Sequence, residues 1–406
     1  MRFLVQKFGG TSLSTAELRD RVAAKVVAAE EQGYRPVVVV SAMGRQGDPY
    51  STDSLLSLTD DLRDNVTPRD KDLLMSCGEI ISGVLVAATL RKYGRNVVFL
   101  SGPQAGIITN AYHNEARILR VKPKKIIEAA EEGKIVVVAG FQGITEDGEI
   151  TTLGRGGSDT TAAALGVALN AVAIDIYTDV DGVMTADPRI VTEAKPLKKV
   201  TYNEICQLAQ EGAKVIHPRA VEIAMQKNIP VWIKSTFSDA PGTLITNHAE
   251  VFNGSIDITS DRLITGITYI QHISQIKVAT GAGITARQVF RAMADAGISV
   301  DLINVHPDVV AFTVKDLDVA EAVRTLEDMG CRPEVTAGCA KIAAVGAGMT
   351  GVPGVMARIV EALTDQGIEI LQSADSYTTI WVLVRRRDME KAIRALYEKF
   401  HLREAR

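Results

Sequence analysis

The sequence predicts an α/β protein in which a mostly parallel sheet lies between layers of helices, followed by two small α+β domains. Continuous β-branched runs at residues 37–40 and 135–139 are typical of strands covered on both faces. Such strands alternate with helices over roughly the first 235 residues, which is the pattern of a parallel sheet with crossover helices. After Pro241 and Gly242 the pattern changes to an approximate repeat, which indicates duplicated small domains.

The elements of the first part follow in order along the chain. The first strand, residues 4–8, runs into Gly9 and Gly10, and Thr11 or Ser12 is the expected cap of the next helix. Further strands are predicted at residues 37–40, 97–100, 135–139 and 174–177. Helices are predicted at residues 16–32, 70–93, 122–132 and 158–169.

The second part contains two copies of one pattern, offset by roughly seventy residues. Asp295-Ala296-Gly297-Ile298 recurs as Asp365-Gln366-Gly367-Ile368. Each copy is expected to have the order strand, helix, strand, strand, helix: 275–280, 286–296, 300–305, 309–315 and 319–329, closed by a strand at 333–337, and then 341–346, 355–366, 369–373, 380–385 and 389–400. The second copy lacks one strand, and an unassigned strand lies at residues 263–270. We therefore expect three domains: residues 1–240, residues 262–270 with 341–406, and residues 271–340, the last inserted into the second.

Composition excludes several classes of function. The 406 residues are 46% hydrophobic and 23% charged with a net charge of −4, which argues against nucleic acid as a partner. No apolar run of about 18–20 residues is evident, so no membrane partner is expected. The four cysteines lack C-x-x-C spacing and the six histidines are scattered, so we expect reduced thiols in the cytoplasm and no protein metal site.

The turn after the first strand has the composition of an anion site. Lys7 precedes Gly9 and Gly10, and the junction presents backbone N–H groups and a helix dipole. A purely structural turn is the alternative for this segment taken alone.

Four further segments are expected to lie near this turn. Ser41 follows a buried strand, at the end where open α/β sheets bind ligands, and Thr52 lies a short loop further on. A second glycine-rich turn at residues 152–160 contains Arg155 and Asp159, which a simple turn does not require. Residues 177–189 form a polar loop after another strand.

Six segments together match the pattern of one known family. They are Lys7-Phe8-Gly9-Gly10-Thr11-Ser12, Ser41-Ala42-Met43, Gly78-Glu79, Gly140-Phe141-Gln142-Gly143, residues 155–161, and Thr178-Asp179 with Ala186-Asp187-Pro188-Arg189. On these residues the chain resembles the aspartate kinases over essentially its whole length. The resemblance implies an amino acid kinase fold followed by two ACT-like regulatory domains. It also implies phosphorylation of the β-carboxylate of L-aspartate by ATP and Mg²⁺, the first step of lysine, diaminopimelate, threonine and methionine biosynthesis.

The resemblance also implies roles for individual residues at the reacting groups. Lys7 would neutralise the γ-phosphate beside the amides of Gly9 and Gly10, and Asp159 would orient Lys7. The expected aspartate-binding residues are Ser41, Thr52, Glu79, Arg155 and Ser158, with Arg155 on the α-carboxylate and Glu79 on the ammonium group. Attack by a carboxylate needs no general base, because this nucleophile is already ionised.

The nucleotide and effector sites are inferred in the same way. The nucleotide side would use Thr178, Asp179, Met184, Arg189 and Lys214, and Met184 stands where many members have tyrosine. Glu79 and Lys214 also admit a plain interpretation as surface residues. An effector is expected at Gly354, Ser373 and Asp375, with meso-diaminopimelate favoured over lysine or threonine, in a cytoplasmic homodimer.

Two alternatives remain open at this stage. One is another kinase of the same fold, acting on glutamate or an acylated amino acid. The other is a non-catalytic amino-acid sensor, in which a retained set of Lys7, Arg155 and Asp159 would have no purpose.

Overall fold

The computed structural model describes residues 1–213, 215–247, 251–252, 255–256, 263–281, 283–349 and 351–404. The chain divides into two compact units. The first comprises Met1–Val183, Pro196–Ala209 and Lys214–Ile258, and the second Met184–Lys195, Gln210–Ala213 and Thr259–Arg406.

The first unit is built on an eight-stranded sheet in the order β10-β12-β11-β9-β1-β2-β6-β3. The strands of this unit are β1 (Phe3–Phe8), β2 (Arg35–Val40), β3 (Val97–Leu100), β4 (Ile107–Thr109), β5 (Ile118–Val121), β6 (Ile135–Ala139), β7 (Gln142–Ile144), β8 (Ile150–Thr152), β9 (Ala173–Thr178), β10 (Lys199–Val200), β11 (Val231–Ser235), β12 (Thr243–Ile245), β13 (Val251–Phe252) and β14 (Ser255–Ile256). Every neighbouring pair in this sheet is parallel except β11 with β12. Strands β4, β5, β7 and β8 form a smaller four-stranded sheet.

Helices cover both faces of the large sheet, as the β-branched runs predict. The helices between residues 16 and 225 are α1 (Ala16–Glu31), α2 (Thr52–Ser57), α3 (Pro68–Lys92), α4 (Lys124–Glu131), α5 (Gly157–Ala168), α6 (Tyr202–Gln210) and α7 (Pro218–Met225). Val38, Val40 and Val137 pack with apolar residues of α1 and α3 in one buried cluster. On the opposite face α5 lies so close to β9 that a Cβ on Gly166 would be 2.5 Å from Ile174 Cδ1. The predicted sandwich is therefore observed.

Helix α3 corrects one expectation from the sequence. It is long and apolar enough to cross a membrane by length and composition, although no such run was expected. Half of its most apolar window is buried inside the protein, and Val86, Ala87 and Leu90 lie in the core cluster beneath it. The helix is therefore a core element of the first unit.

The second unit contains one six-stranded antiparallel sheet in the order β16-β17-β15-β18-β20-β19. Its elements are β15 (Gly266–Ala279), α8 (Ala286–Asp295), β16 (Asp301–Val305), β17 (Val309–Lys315), α9 (Val319–Asp328), β18 (Glu334–Val345), α10 (Val355–Thr364), β19 (Gln372–Asp375), β20 (Thr379–Arg385) and α11 (Met389–Lys399). Strands β15 and β18 are long and run through both repeats, with register shifts on either side of Ile273. Ile267–Ile270 pair with residues 341–344, and Gln275–Lys277 pair with residues 334–336.

Candidate active site

The carboxyl end of β1 carries a half-buried ion pair. Lys7 Nζ lies 2.8 Å from Asp159 Oδ1, and the two side chains are 13% and 12% exposed. Lys7 comes from β1 and Asp159 from the first turn of α5, so strand and helix are joined at this point. Asp159 near a helix N-terminus is also favoured by the helix dipole. The two residues expected to act together are therefore adjacent.

Gly9 and Gly10 follow Lys7 and open a short 3₁₀ helix, Gly10–Ser12. A Cβ on Gly10 would lie 2.4 Å from the carbonyl oxygen of Ala42 and 2.6 Å from that of Gly44. The Gly44 N–H donates to the Gly10 carbonyl (2.9 Å), and the Ser41 N–H donates to the Phe8 carbonyl (3.2 Å). The loop of residues 41–44, which we call the β2 loop, is thus held against the first glycine turn.

Glu79 lies on the other side of the β2 loop, on α3. The Ala42 N–H donates to Glu79 Oε1 (2.9 Å), whereas the buried Oε2 has no hydrogen-bond partner among the described residues. Glu79 is 2% exposed, and burial raises the pKa of its carboxyl to about 8. A buried carboxylate with an open oxygen needs a cation to be stable in its charged form. The plain surface-residue interpretation of Glu79 is therefore wrong.

The second glycine-rich turn leads into α5. Gly154 and Gly156 have φ of +71° and +67°, conformations that favour glycine. Arg155 between them is exposed and makes no hydrogen bond or ion pair within the described part of the chain. Ser158 is buried, and its Oγ would be 2.9 Å from a Cβ on Gly140. This turn thus presents a free guanidinium beside the Asp159 helix turn.

Thr178 and Asp179 follow the end of β9. The Thr178 hydroxyl donates to Asp179 Oδ1 (3.2 Å), and Arg45 from the β2 loop region pairs with Asp179 Oδ2 at 2.6 Å. This pair is exposed, so it contributes little to stability. Thr52 is the half-buried first residue of α2.

The remaining residues expected at the nucleotide are not among the groups described above. Met184 and Arg189 belong to the second unit, where Arg189 donates to both carboxylate oxygens of Asp187, at 2.7 Å for the closer one, and its side chain is 83% exposed. Lys214 lies outside the described residues.

Asp72 is a buried acidic residue on the same helix as Glu79 that the sequence analysis did not single out. Its fully buried carboxylate lies 2.6 Å from His113 Nδ1 and accepts from the Asn114 N–H (3.0 Å) and the Thr152 hydroxyl. Asp72 and Glu79 are seven residues apart on α3, so they share one face of the helix. The sequence contains no signal for this residue, because α3 carries three acidic residues, Asp70, Asp72 and Glu79, and the apolar pattern does not show which of them is buried.

The described residues contain no group of three or more His, Cys, Asp or Glu side chains that could hold a metal ion. Mg²⁺ in nucleotide sites commonly takes most of its ligands from phosphate oxygens and water, with one or two carboxylates.

The second unit has a cavity of about 460 Å³ at the start of α10. Gly354 and Asp375 line it, together with Gly351, Ser376 and Tyr377. Ser373 lies on β19 but is not among the lining residues, so Ser376 replaces it as the polar serine of this cavity.

Comparisons with known proteins identify the family and the fold. The amino acid kinase family matches residues 2–235, and an ACT domain matches residues 334–398. The chain is 52% identical to Aspartokinase 1 of Bacillus subtilis, covering 99% of this chain and 100% of the relative. The structure of E. coli aspartokinase III in complex with aspartate and ADP (R-state) aligns with a TM-score of 0.75 at 26% identity, covering 98% of this chain and 99% of the other. The same enzyme with lysine and aspartate (T-state) also aligns with a TM-score of 0.75 at 26% identity, covering 98% and 100%.

Proposed function

We propose the following reaction on the premise that the chain belongs to the amino acid kinase family and, within it, to the aspartokinases. The γ-phosphoryl group of ATP passes to the β-carboxylate of L-aspartate, and the products are 4-phospho-L-aspartate and ADP. The observation that carries the site assignment is that one loop, the β2 loop, contacts both the glycine turn that follows Lys7 and the buried Glu79. A cation for a phosphoryl group and an open carboxylate for an ammonium group therefore lie on either side of it.

Glu79 binds the α-ammonium group of aspartate in this proposal. Its Oε2 is buried without a hydrogen-bond donor among the described residues, and an incoming ammonium group supplies the missing donor and the missing charge. Since burial raises the pKa of Glu79 to about 8, aspartate binding at neutral pH releases a proton from this carboxyl. Arg155 takes the α-carboxylate with its planar guanidinium, which matches a carboxylate in two parallel hydrogen bonds. Ser41, Thr52 and Ser158 complete the substrate side.

The phosphoryl transfer then needs positioning and charge neutralisation rather than a base. A β-carboxylate oxygen of aspartate forms the new bond to the γ-phosphorus, and the bond to the β–γ bridging oxygen breaks as ADP leaves. Lys7 neutralises the charge on the equatorial oxygens, with the N–H groups of Gly9 and Gly10 beside it. Asp159 keeps Lys7 directed at this point through their 2.8 Å contact.

ATP is bound in this proposal by Thr178, Asp179, Met184, Arg189 and Lys214 in addition to the glycine turn. Mg²⁺ accompanies the nucleotide and supplies positive charge at its phosphates. The exposed Arg45–Asp179 pair can open when the nucleotide enters, since such pairs contribute little to stability.

Regulation is assigned to the second unit. We propose two ACT-like domains, residues 271–340 inserted between residues 262–270 and 341–406, preceded by a catalytic domain of residues 1–240. The cavity at Gly354 and Asp375 takes a small amino acid, with meso-diaminopimelate favoured. Lysine is the alternative, because E. coli aspartokinase III binds lysine together with aspartate in its T-state structure. We further propose that the enzyme acts as a cytoplasmic homodimer.

Substrate identity is tested by ADP release from Mg-ATP with one acceptor at a time. L-Aspartate should support turnover, whereas L-glutamate and N-acetyl-L-glutamate should not, because the first is longer and the second lacks the ammonium group that Glu79 requires. Turnover with either of these and none with L-aspartate would contradict the proposal. ATP binding without turnover on any acceptor would favour the sensor alternative.

A further inference from the structure

The first unit contains a cavity of about 570 Å³ that is distinct from the cavity of the second unit. The proposed reaction does not use it. Its floor is the face of the large sheet formed by β1, β9 and β11. Gln6, Asp175 and Trp232 are register partners on these three strands, so they form one row across the floor. Lys7 is the next residue along β1 and points to the other face, since side chains alternate along a strand. The cavity is therefore separated from the Lys7 site by the sheet itself.

The floor of the cavity presents a buried acceptor without a donor in the described part of the chain, Gln6 Oε1, beside the carboxylate of Asp175. Gln6 is 1% exposed, and its buried Oε1 has no hydrogen-bond partner among the described residues. Asp175 is 3% exposed, and Lys234 donates to its Oδ2 (2.9 Å), which leaves Oδ1 as an acceptor. Burial raises the pKa of Asp175 despite this lysine. A buried acceptor without a donor destabilises the folded protein, so a donor group at this place is stabilising.

The wall of the cavity supplies a cation that can bind an anion. Lys25 of α1 donates to the Ser238 carbonyl (3.1 Å) and lies 3.3 Å from Asp239, whose side chain is fully exposed. An exposed partner of this kind holds a lysine weakly. Trp232 and Tyr177 add aromatic surface to the lining, and Lys25 Nζ lies 5.6 Å from the centre of the Tyr177 ring. The lining thus combines a buried acceptor, a cation and aromatic surface.

From this arrangement we propose that the cavity is a binding site for a small zwitterionic amino acid. The ammonium group donates to Gln6 Oε1 and Asp175 Oδ1, the carboxylate pairs with Lys25, and the side chain packs on Trp232. The two lysines and two aspartates that line the cavity balance in charge, which suits a ligand of zero net charge. The site is independent of the proposed phosphoryl transfer, because neither its floor nor its wall includes a residue assigned to aspartate or ATP.

Trp232 provides a direct readout of occupancy. The chain has two tryptophans, Trp232 and Trp381, so Trp381→Phe leaves Trp232 as the only indole. The full-length variant, also carrying Asp375→Ala to silence the cavity of the second unit, is titrated with L-alanine, L-threonine, L-methionine or glycine, each in the presence of saturating L-aspartate and ADP. At least one should change the Trp232 fluorescence in a saturable way at millimolar concentration or below. Its N-acetyl derivative, which lacks the ammonium group, should have no effect.

Two variants link the signal to the cavity. Gln6→Met keeps the size of the side chain but removes the acceptor, and Lys25→Met removes the cation; each should weaken binding by about tenfold or more. Gln226→Met, an exposed position in the same unit, is the matched control and should bind as the parent does. The proposal is overturned if none of the four amino acids changes the fluorescence, if the N-acetyl derivative binds equally, or if folded Gln6→Met and Lys25→Met variants both bind as the control does. The fluorescence titrations measure binding and do not require turnover. Their outcome can therefore be distinguished from a failure of the proposed aspartokinase reaction.

Discussion

The role of Lys7 could be predicted from the local sequence, whereas the burial of Glu79 could not. Lys7 precedes a pair of glycines at the end of a strand, a local pattern that already indicates an anion site. Its partner Asp159 is distant in sequence. Asp159 lies beside Lys7 because β9 pairs with β1 in the sheet and α5, which carries Asp159, precedes β9 along the chain. The unpartnered oxygen of Glu79 and the hydrogen-bond network around Asp72 both depend on the burial of α3. The apolar pattern of this helix predicts that it is buried, but it does not show which of its acidic residues face inward.

The first prediction concerns Lys7. Lys7→Ala should lower kcat by about 10²–10³-fold while KM for aspartate changes little, because its charge acts on the phosphoryl group in the transition state. Steady-state kinetics at saturating ATP checks this. Lys227→Ala, at an exposed position of the same unit, is the control and should retain parental kinetics. A Lys7→Ala enzyme with altered KM and unchanged kcat would reverse the assigned roles.

The second prediction concerns the protonation of Glu79. Its pKa is raised to about 8, so in the free enzyme the carboxyl is protonated below that pH and must lose a proton to bind an ammonium group. KM for aspartate should therefore fall by up to about tenfold per pH unit between pH 6 and 8, and level off above. Glu79→Gln should raise KM by about tenfold or more and remove this pH dependence.

Stability gives the same carboxyl an independent test. The pKa of Glu79 is higher in the folded protein than in the unfolded chain. The contribution of this group to the free energy of unfolding is therefore fully present below its unfolded pKa and is lost as pH rises toward 8. The Tm of the parent should fall relative to that of Glu79→Gln as pH rises from 5 to 8.5. Parallel Tm curves for the two proteins would contradict a buried, protonated Glu79.

At the scale of elements, most helices and strands follow from local periodicity. The predicted strands at residues 97–100, 135–139 and 309–315 coincide with β3, β6 and β17. Each consists mainly of apolar residues and is bounded by turn residues, so its limits are set locally. The β2 loop is different: it has no periodic pattern, and its position is fixed by contacts with Gly10 on one side and Gly78 and Glu79 on the other.

The third prediction tests this close packing with a matched pair of glycine substitutions. Gly10→Ala places a Cβ 2.4 Å from the Ala42 carbonyl, where only backbone could move, whereas Gly9→Ala meets nothing closer than Lys7 Nζ at 3.6 Å. Gly10→Ala should lower Tm by several degrees and kcat/KM by at least tenfold, since overpacking costs about 1–3 kcal/mol. Gly9→Ala should keep the parental Tm. Calorimetry and kinetics on both variants check this, and equal Tm values would show that the β2 loop is not held by this contact.

At the scale of the whole molecule, the repeat in the sequence correctly predicts two similar sets of elements in the second unit. It does not predict that they share one sheet. Strand β15 passes through both copies because no turn residue interrupts residues 267–279, and β18 does so although Gly338 within it has φ of +66°. Register shifts near Ile273 absorb the change between the copies. His272, with φ of +63°, marks the same point, and a histidine gives no local signal for such a conformation.

The fourth prediction concerns feedback through the cavity at Gly354 and Asp375. Turnover should be inhibited by meso-diaminopimelate, and Asp375→Ala should raise the inhibitory concentration by about tenfold or more, because the ammonium group loses its carboxylate partner. Asp365→Ala, at an exposed position of the same unit, is the matched control. Inhibition by lysine alone would identify a different effector, and an Asp375→Ala enzyme as sensitive as the control would place the effector elsewhere.

The central claim is that Lys7 and Asp159 direct ATP toward the β-carboxylate of L-aspartate. Trapping the product with hydroxylamine tests it most directly, because an acyl phosphate gives a hydroxamate whose position identifies the carboxyl group that was phosphorylated. The enzyme with Mg-ATP and L-aspartate should give the β-hydroxamate, and Lys7→Ala should give about 10²–10³-fold less at the same aspartate concentration. An α-hydroxamate, no hydroxamate, or an equal yield from Lys7→Ala would contradict the claim.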